Sequence, residues 1–124
     1  MSIGSRAAFG ALVISFILAM PASAHHGWGG NVDEVSDMTG TVVESVRLAG
    51  PHATMKVKVG ANVWDITLAP PARAARSGLA EGLIPVGATV TVRGNRNRDP
   101  ARYEMKTIMV RYGDRQFDVY PERE

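Results

Sequence analysis

The sequence predicts a mainly β protein, a small five-stranded OB-like barrel with one short helix between its third and fourth strands. Several segments alternate apolar and polar residues with a period of two, which is the pattern of half-buried strands. Glycine and proline separate these segments at short intervals. A single helical signal follows the third segment, and a barrel with one inserted helix has that order of elements.

The same order of elements also fits an open antiparallel sheet with one helix. An open sheet exposes unpaired strand edges, which are templates for aggregation, whereas closure removes them. We therefore favour the barrel and keep the open sheet as the alternative architecture.

A leader precedes the predicted strands. Arg6 lies in a short polar start, and residues 7–20 form an apolar run followed by Pro-Ala-Ser-Ala. This combination is typical of a secretory signal peptide, and the run is shorter than the about 20 residues of a membrane span. We expect residues 1–24 to be removed, which leaves a periplasmic protein that begins at His25 and has no membrane span.

The remaining chain has the length of one domain. Residues 25–37 are rich in glycine and polar side chains, so we expect an extended N-terminal arm in which Trp28 docks on the barrel or stays exposed rather than stacking on a ligand. Residues 38–120 are predicted to form the OB-like barrel domain, and residues 121–124 a C-terminal tail.

The first three predicted strands follow one another closely over 38–48, 52–59 and 62–68, with turns at Gly50-Pro51 and Gly60-Ala61. Each strand places apolar residues on its inward face. These residues are Val42, Val46, Leu48, Met55, Val57, Val59, Trp64, Ile66 and Leu68.

Proline ends the third strand and begins the helix. Pro70 and Pro71 precede the helical segment 72–77, and Gly78 is the residue type expected just past a helix C-terminus. The remaining strands are predicted over 86–94, 103–112 and 115–120. Ala88, Val90 and Val92 face inward from the first of them.

The composition excludes several function classes. The 124 residues include no cysteine, which rules out disulfides and thiolate metal sites. The chain has 14 basic and 12 acidic side chains, and the loss of Arg6 with the leader leaves 13 against 12. A surplus of one charge argues against a nucleic-acid partner.

No catalytic motif is evident. Ser45, His52 and Asp65 contain the residue types of a hydrolase triad, but no nucleophile elbow frames them. No glycine-rich loop of the phosphate-binding type precedes the helix. We therefore expect a protein that is not an enzyme.

The three histidines are the candidate metal ligands. His25 and His26 open the expected mature chain, and His52 follows a Gly-Pro turn. An N-terminal histidine offers two donors, the freed α-amine and its own imidazole. An all-nitrogen set suits Cu(II), Ni(II) or Zn(II), and copper binds most tightly. The sequence predicts a copper-binding module at His25, His26 and His52.

Other interpretations stay open. The paired histidines are a soluble spacer, and His52 a turn residue, if no metal binds. The alternative function is then a non-metal module that binds an envelope protein or a small ligand. Four arginines around the loop after the fourth predicted strand either meet an anionic partner or form a solvated tip. They are Arg93, Arg96, Arg98 and Arg102.

Several short motifs occur in an order that resembles a family of small exported bacterial proteins of unknown function. The motifs are AHHGW (24–28), TGTV (39–42), GPHA (50–53), AARSGL (74–79) and VGATVTVRG (86–94). Members of that family begin the mature chain with His-His-Ser and carry an Asn-Pro-His turn. Here the third residue is Gly27, and Gly50 replaces the asparagine. The resemblance implies export and matches the positions of the three histidines, but it implies no activity.

Overall fold

The computed structural model describes residue 4 and residues 28–124, and the structural statements below concern these residues. Apart from Gly4, the predicted signal peptide lies outside the described residues. His25 and His26 also lie outside them. The described chain is mainly β, with six strands in one sheet and one short helix. No helix within this part of the chain is both long and apolar enough to cross a membrane.

The strands and the helix follow the predicted order. They are β1 (Asn31–Arg47), β2 (Thr54–Val59), β3 (Asn62–Thr67), α1 (Pro71–Arg76), β4 (Thr89–Asn97), β5 (Glu104–Tyr112) and β6 (Arg115–Asp118). The helix lies between β3 and β4, which confirms its predicted place. A single 3₁₀ turn, Pro121–Arg123, follows β6 where a tail was predicted.

Hydrogen bonds connect the strands in the antiparallel order β3-β2-β1-β4-β5-β6, and β3 also pairs with β5 in parallel. Strand β5 uses one edge twice. Its start pairs with β3, where Ile66 is opposite Met105, and its end pairs with β6, where Val110 is opposite Phe117. As a result, each of the strands β1 to β5 has a hydrogen-bonded neighbour on both sides.

Strand β1 begins at Asn31, earlier than the predicted start at Met38. The polar segment before Met38 pairs with β4, with Asn31 opposite Asn97 and Val35 opposite Asn95. The first strand therefore begins before the segment of alternating apolar and polar residues, because backbone pairing rather than side-chain burial defines its beginning.

The predicted inward faces form the core. Val42, Val46, Met55, Val57, Ile66, Leu68, Val90 and Val92 are buried, and Leu48, Val59, Trp64 and Ala88 pack against them. Gly94 allows two strands to approach closely, since a Cβ there would lie 2.1 Å from the Lys106 carbonyl oxygen. Gly40 does the same on β1, where a Cβ would lie 2.2 Å from the Lys58 carbonyl oxygen.

Helix α1 is short and is held by its neighbours. Pro71 occupies its first turn, Ala74 is buried, and Gly78 has a positive φ of 104° just after its end. Arg73 donates from Nε to the Val119 carbonyl at 3.0 Å, which ties the helix to the chain after β6. The helix thereby brings its arginines to the C-terminal segment.

Candidate functional site

His52, the one described histidine among the predicted ligands, lies half-buried between β1 and β2. Its neighbour Ala53 is fixed beside the end of β3, because the Ala53 amide donates to Ala69 at 2.9 Å and the Leu68 amide donates to Ala53 at 2.8 Å. Burial lowers the pKa of His52, and the positive charge of Lys106 lowers it further. The imidazole therefore stays neutral to a lower pH than an ordinary histidine.

Lys106 links His52 to the beginning of the described chain. This β5 side chain is only 8% exposed, and its Nζ lies 4.9 Å from the centre of the Trp28 ring. Burial and the nearby charge of Arg123 lower the pKa of Lys106. Among residues 28–124, no carboxylate forms an ion pair with it. The face of the indole ring is the contact that stabilises this ammonium.

Trp28 is anchored on the sheet as predicted. The Arg123 guanidinium lies 3.8 Å from the centre of its ring, and Tyr120 meets it edge-on at 5.2 Å. Arg73 stacks on Tyr120 in turn, at 4.4 Å. These contacts fix the position of Trp28 beside Lys106, Tyr120 and Arg123.

The described residues do not by themselves contain a metal site. Residues 28–124 hold no group of three histidine, cysteine, aspartate or glutamate side chains placed to share an ion. The positive charge of Lys106 acts on His52, and Lys106 itself packs on the ring of Trp28. Lys106 was not predicted, because a lysine within a predicted strand gives no sign of being buried.

Three of the four arginines predicted as a basic cluster pair with separate carboxylates. Arg93 donates from Nε to Asp37 at 2.8 Å, and this hydrogen bond lowers the pKa of Asp37. Arg102 pairs with Glu104 at 3.1 Å. Only one of the four, Arg96, forms no ion pair within the described chain.

Arg98 ties the loop after β4 to the beginning of the described chain. Its Nε donates to the Gly29 carbonyl at 3.2 Å, and its backbone amide donates to the Gly30 carbonyl at 2.9 Å. Its guanidinium also lies 3.8 Å from Asp33. The loop and the Trp28 segment are therefore neighbours.

Arg96 borders a groove that sequence analysis did not predict. Its guanidinium lies 5.3 Å from the centre of the Trp64 ring, and Trp64 meets Tyr103 at 5.4 Å and a 60° angle between the ring planes. With Val32 and the loop after β4, these side chains line a groove of about 370 Å³. Arginine and aromatic residues are both visible in the sequence, but it is the pairing of β5 with β3 and with β4 that brings them together.

Comparison with known proteins gives a family but no activity. No curated protein matches the chain. Residues 13–106 match a family described as a family of unknown function, DUF6152. The match covers well over half of the 124 residues and includes β1 to β4 and the start of β5. The chain therefore belongs to this family of unknown function.

Proposed function

We propose that this chain is an exported, non-enzymatic binding protein of the periplasm that holds a transition metal, copper foremost, through His25, His26 and His52. The leader-like N-terminal sequence supports export. The nitrogen donors support the choice of metal, because imidazole and amine ligands favour Cu(II) over the other divalent ions of the first transition row.

The position of Trp28 carries this proposal. Its ring packs on Lys106, and Lys106 is close enough to His52 for its charge to lower the pKa of the imidazole. Three residues of chain lead from Trp28 back to His25, and that length spans about 10 Å when extended. This short connection supports a site that the N-terminal donors share with His52.

The chemistry of His52 also suits a ligand. A metal binds the neutral form of imidazole, and the lowered pKa of His52 preserves that form in mildly acidic conditions. The positive charge of the Lys106 ammonium repels a metal ion bound at His52. That repulsion falls as Lys106 loses its proton, so the proposal implies tighter metal binding at higher pH.

We also propose that the ring of paired strands is a small OB-like barrel. The support is the parallel pairing of β3 with β5, which gives each of β1 to β5 two neighbours, and the position of α1 between β3 and β4. Nuclear Overhauser contacts between Asp65 and Glu104 in solution test that closure. Their absence would favour the open sheet.

The metal proposal is tested on protein purified from the periplasm, with its N-terminus determined by intact mass. Titration with Cu(II), followed by visible absorption and electron paramagnetic resonance, should show one nitrogen-ligated ion. A His25→Ala, His52→Ala double variant should bind at least about tenfold more weakly. Unchanged copper affinity in that variant would show that the proposal is wrong.

A matched control separates the amine from the imidazoles. One alanine inserted before His25 keeps all three imidazoles but moves the α-amine by one residue. Weaker binding in this variant assigns the amine as a ligand. Equal binding, together with a loss in the double variant, restricts the site to imidazoles.

The second candidate is a module that binds a non-metal ligand or an envelope partner. The groove beside Trp64 favours it, because this groove combines exposed aromatic surface with a guanidinium that has no carboxylate partner within the described residues. Crosslinking in the periplasm tests for a protein partner, and this candidate predicts capture that does not depend on metal.

A further inference from the structure

The groove beside Trp64 lies where three strands and one loop meet. Trp64 comes from β3, Arg96 from β4, Val32 from the beginning of β1, and Tyr103 from the end of the loop that joins β4 to β5. Its volume of about 370 Å³ is within the range of small-molecule sites. Strands supply half of the lining residues, and the loop after β4 supplies the other half.

One wall of the groove is aromatic. Trp64 is half-buried and Tyr103 is 41% exposed, and the two rings pack edge to face at 5.4 Å. Val32 and Pro100 add apolar surface. This wall offers a surface on which a flat ring packs favourably.

Arg96 supplies the positive charge. Its guanidinium is held 5.3 Å from the centre of the Trp64 ring, and no described carboxylate forms an ion pair with it. Glu34 borders the adjoining hollow with Arg96 but does not pair with it. A guanidinium stacked on an aromatic ring keeps its N–H groups free for a carboxylate or phosphate.

The acidic side chains of the loop beside the groove already have partners. Glu104 accepts hydrogen bonds from Asn97 at 2.8 Å and from Arg102 at 3.1 Å. Asp99 accepts from the Ala101 amide at 3.0 Å. These carboxylates have partners within the loop. Arg98 and Arg102 also line the groove but pair with Asp33 and Glu104, so among the described residues Arg96 is the lining arginine without an ion pair.

We propose that this groove binds a small ligand that joins a planar ring to a carboxylate or phosphate group. The ring packs on Trp64 and Tyr103, and the anionic group pairs with Arg96. The proposal gives the second candidate function its ligand class and rests on that candidate. It involves none of the three histidines, so it is independent of the metal proposal.

Metal-free protein is titrated with adenosine 5′-monophosphate and, separately, with indole-3-acetate. The two probes share a ring and an anion but carry phosphate and carboxylate, respectively. The chain has two tryptophans, so the indole N–H signals in an NMR spectrum report both sites at once, and Trp28→Phe assigns them. We expect at least one probe to shift the Trp64 signal in a saturable way and to leave Trp28 unchanged. The probe that binds more tightly identifies the anion.

Adenosine without phosphate, and inorganic phosphate or acetate without a ring, serve as half-ligands. Each should bind at least about tenfold more weakly than the complete probe, because each loses one of the two contacts. Inorganic phosphate that binds as tightly as adenosine 5′-monophosphate would overturn the role of the aromatic wall.

Variants test the two contacts separately. Arg96→Gln should weaken the better probe by about tenfold or more, as expected for the loss of a charge-assisted hydrogen bond. Arg76→Gln removes an equally exposed arginine from α1 and should leave affinity unchanged. Tyr103→Leu keeps apolar bulk in an exposed position that tolerates change, and should weaken binding by several-fold.

Two results would overturn the proposal. One is the absence of saturation by both probes below about 10 mM. The other is unchanged affinity in Arg96→Gln. Neither bears on copper binding, which is measured through the histidines.

Discussion

The side-chain amide of Asn95 donates to the backbone carbonyl of Val32 at 3.1 Å. The contact lies where β1 and β4 lose their regular register, between the pairs Asn31–Asn97 and Val35–Asn95. Extra residues on β1 leave backbone carbonyls without a partner from β4. The buried side-chain amide of Asn95 also donates to the Asp33 carbonyl at 3.2 Å. Asn95 therefore replaces missing backbone hydrogen bonds and holds the bulge that presents Val32 to the groove.

Replacing Asn95 by alanine should destabilise the protein by about 1–3 kcal/mol, because the bulge carbonyls lose their donor in a buried place. Urea unfolding followed by circular dichroism measures the change. Asn62→Ala is the matched control, since Asn62 is half-buried and its side chain makes no hydrogen bond within the described chain. Equal losses in the two variants would contradict the role assigned to Asn95.

Gly94→Ala should destabilise the fold by about 1–3 kcal/mol or more, because the added methyl group collides with backbone that cannot move aside. Its Cβ would lie 2.1 Å from the Lys106 carbonyl oxygen. Gly30→Ala is the control, since Gly30 has open space and no positive φ. Thermal unfolding compares the two, and a Gly94→Ala variant as stable as Gly30→Ala would refute the close contact.

The alternation of apolar and polar residues predicted the interior strands but not the beginning of β1. Val57 and Ile66 alternate with polar neighbours, so their burial follows from the period of the sequence alone. The segment from Asn31 to Asp37 has no such alternation. It is a strand because β4 pairs with it and Asn95 completes its hydrogen bonds, and both depend on residues about 60 positions away.

The candidate sites show the same division. His52 is identifiable as a candidate metal ligand from its residue type. Removal of the predicted signal peptide would free the other nitrogen donors, at His25 and His26. The influence of the Lys106 charge on His52 depends on the parallel pairing of β3 with β5, which no local signal reveals. Likewise, the register of β1 against β4 places Asp37 opposite Arg93 and leaves Arg96 unpaired within the described residues.

Lys106→Met should raise the pKa of His52 toward its ordinary value of 6.5, because it removes one of two causes that lower it. The rise is partial, since burial, the larger cause, remains. The pH dependence of the His52 imidazole proton signals in NMR measures the shift. Lys58→Met removes an exposed lysine on β2 and should leave the pKa unchanged. A His52 pKa that is the same in all three proteins would show that Lys106 does not act on it.

The same lowered pKa gives stability a defined pH dependence. Folded His52 binds fewer protons than unfolded His52 just below pH 6.5, so its contribution to stability is complete above that pH and is lost as the pH falls. Lys106→Met should reduce this acid-side loss. Urea midpoints of the parent and Lys106→Met proteins across pH 5 to 7.5 test the sign, and a steeper loss in the variant would contradict it.

Trp28→Ala should weaken copper binding although it removes no proposed ligand. The ring contacts Lys106 and Arg123 and so anchors the segment that leads to His25. Without the anchor, more of the chain must be ordered at the moment of binding, at about 1 kcal/mol or more per residue, which corresponds to a loss of about fivefold for each residue ordered. Isothermal titration with Cu(II) measures this loss, and Tyr103→Leu removes an aromatic ring that does not contact Trp28. If Trp28→Ala binds copper as tightly as Tyr103→Leu, the N-terminal donors reach the metal without the anchor, and the position of Trp28 no longer supports the site.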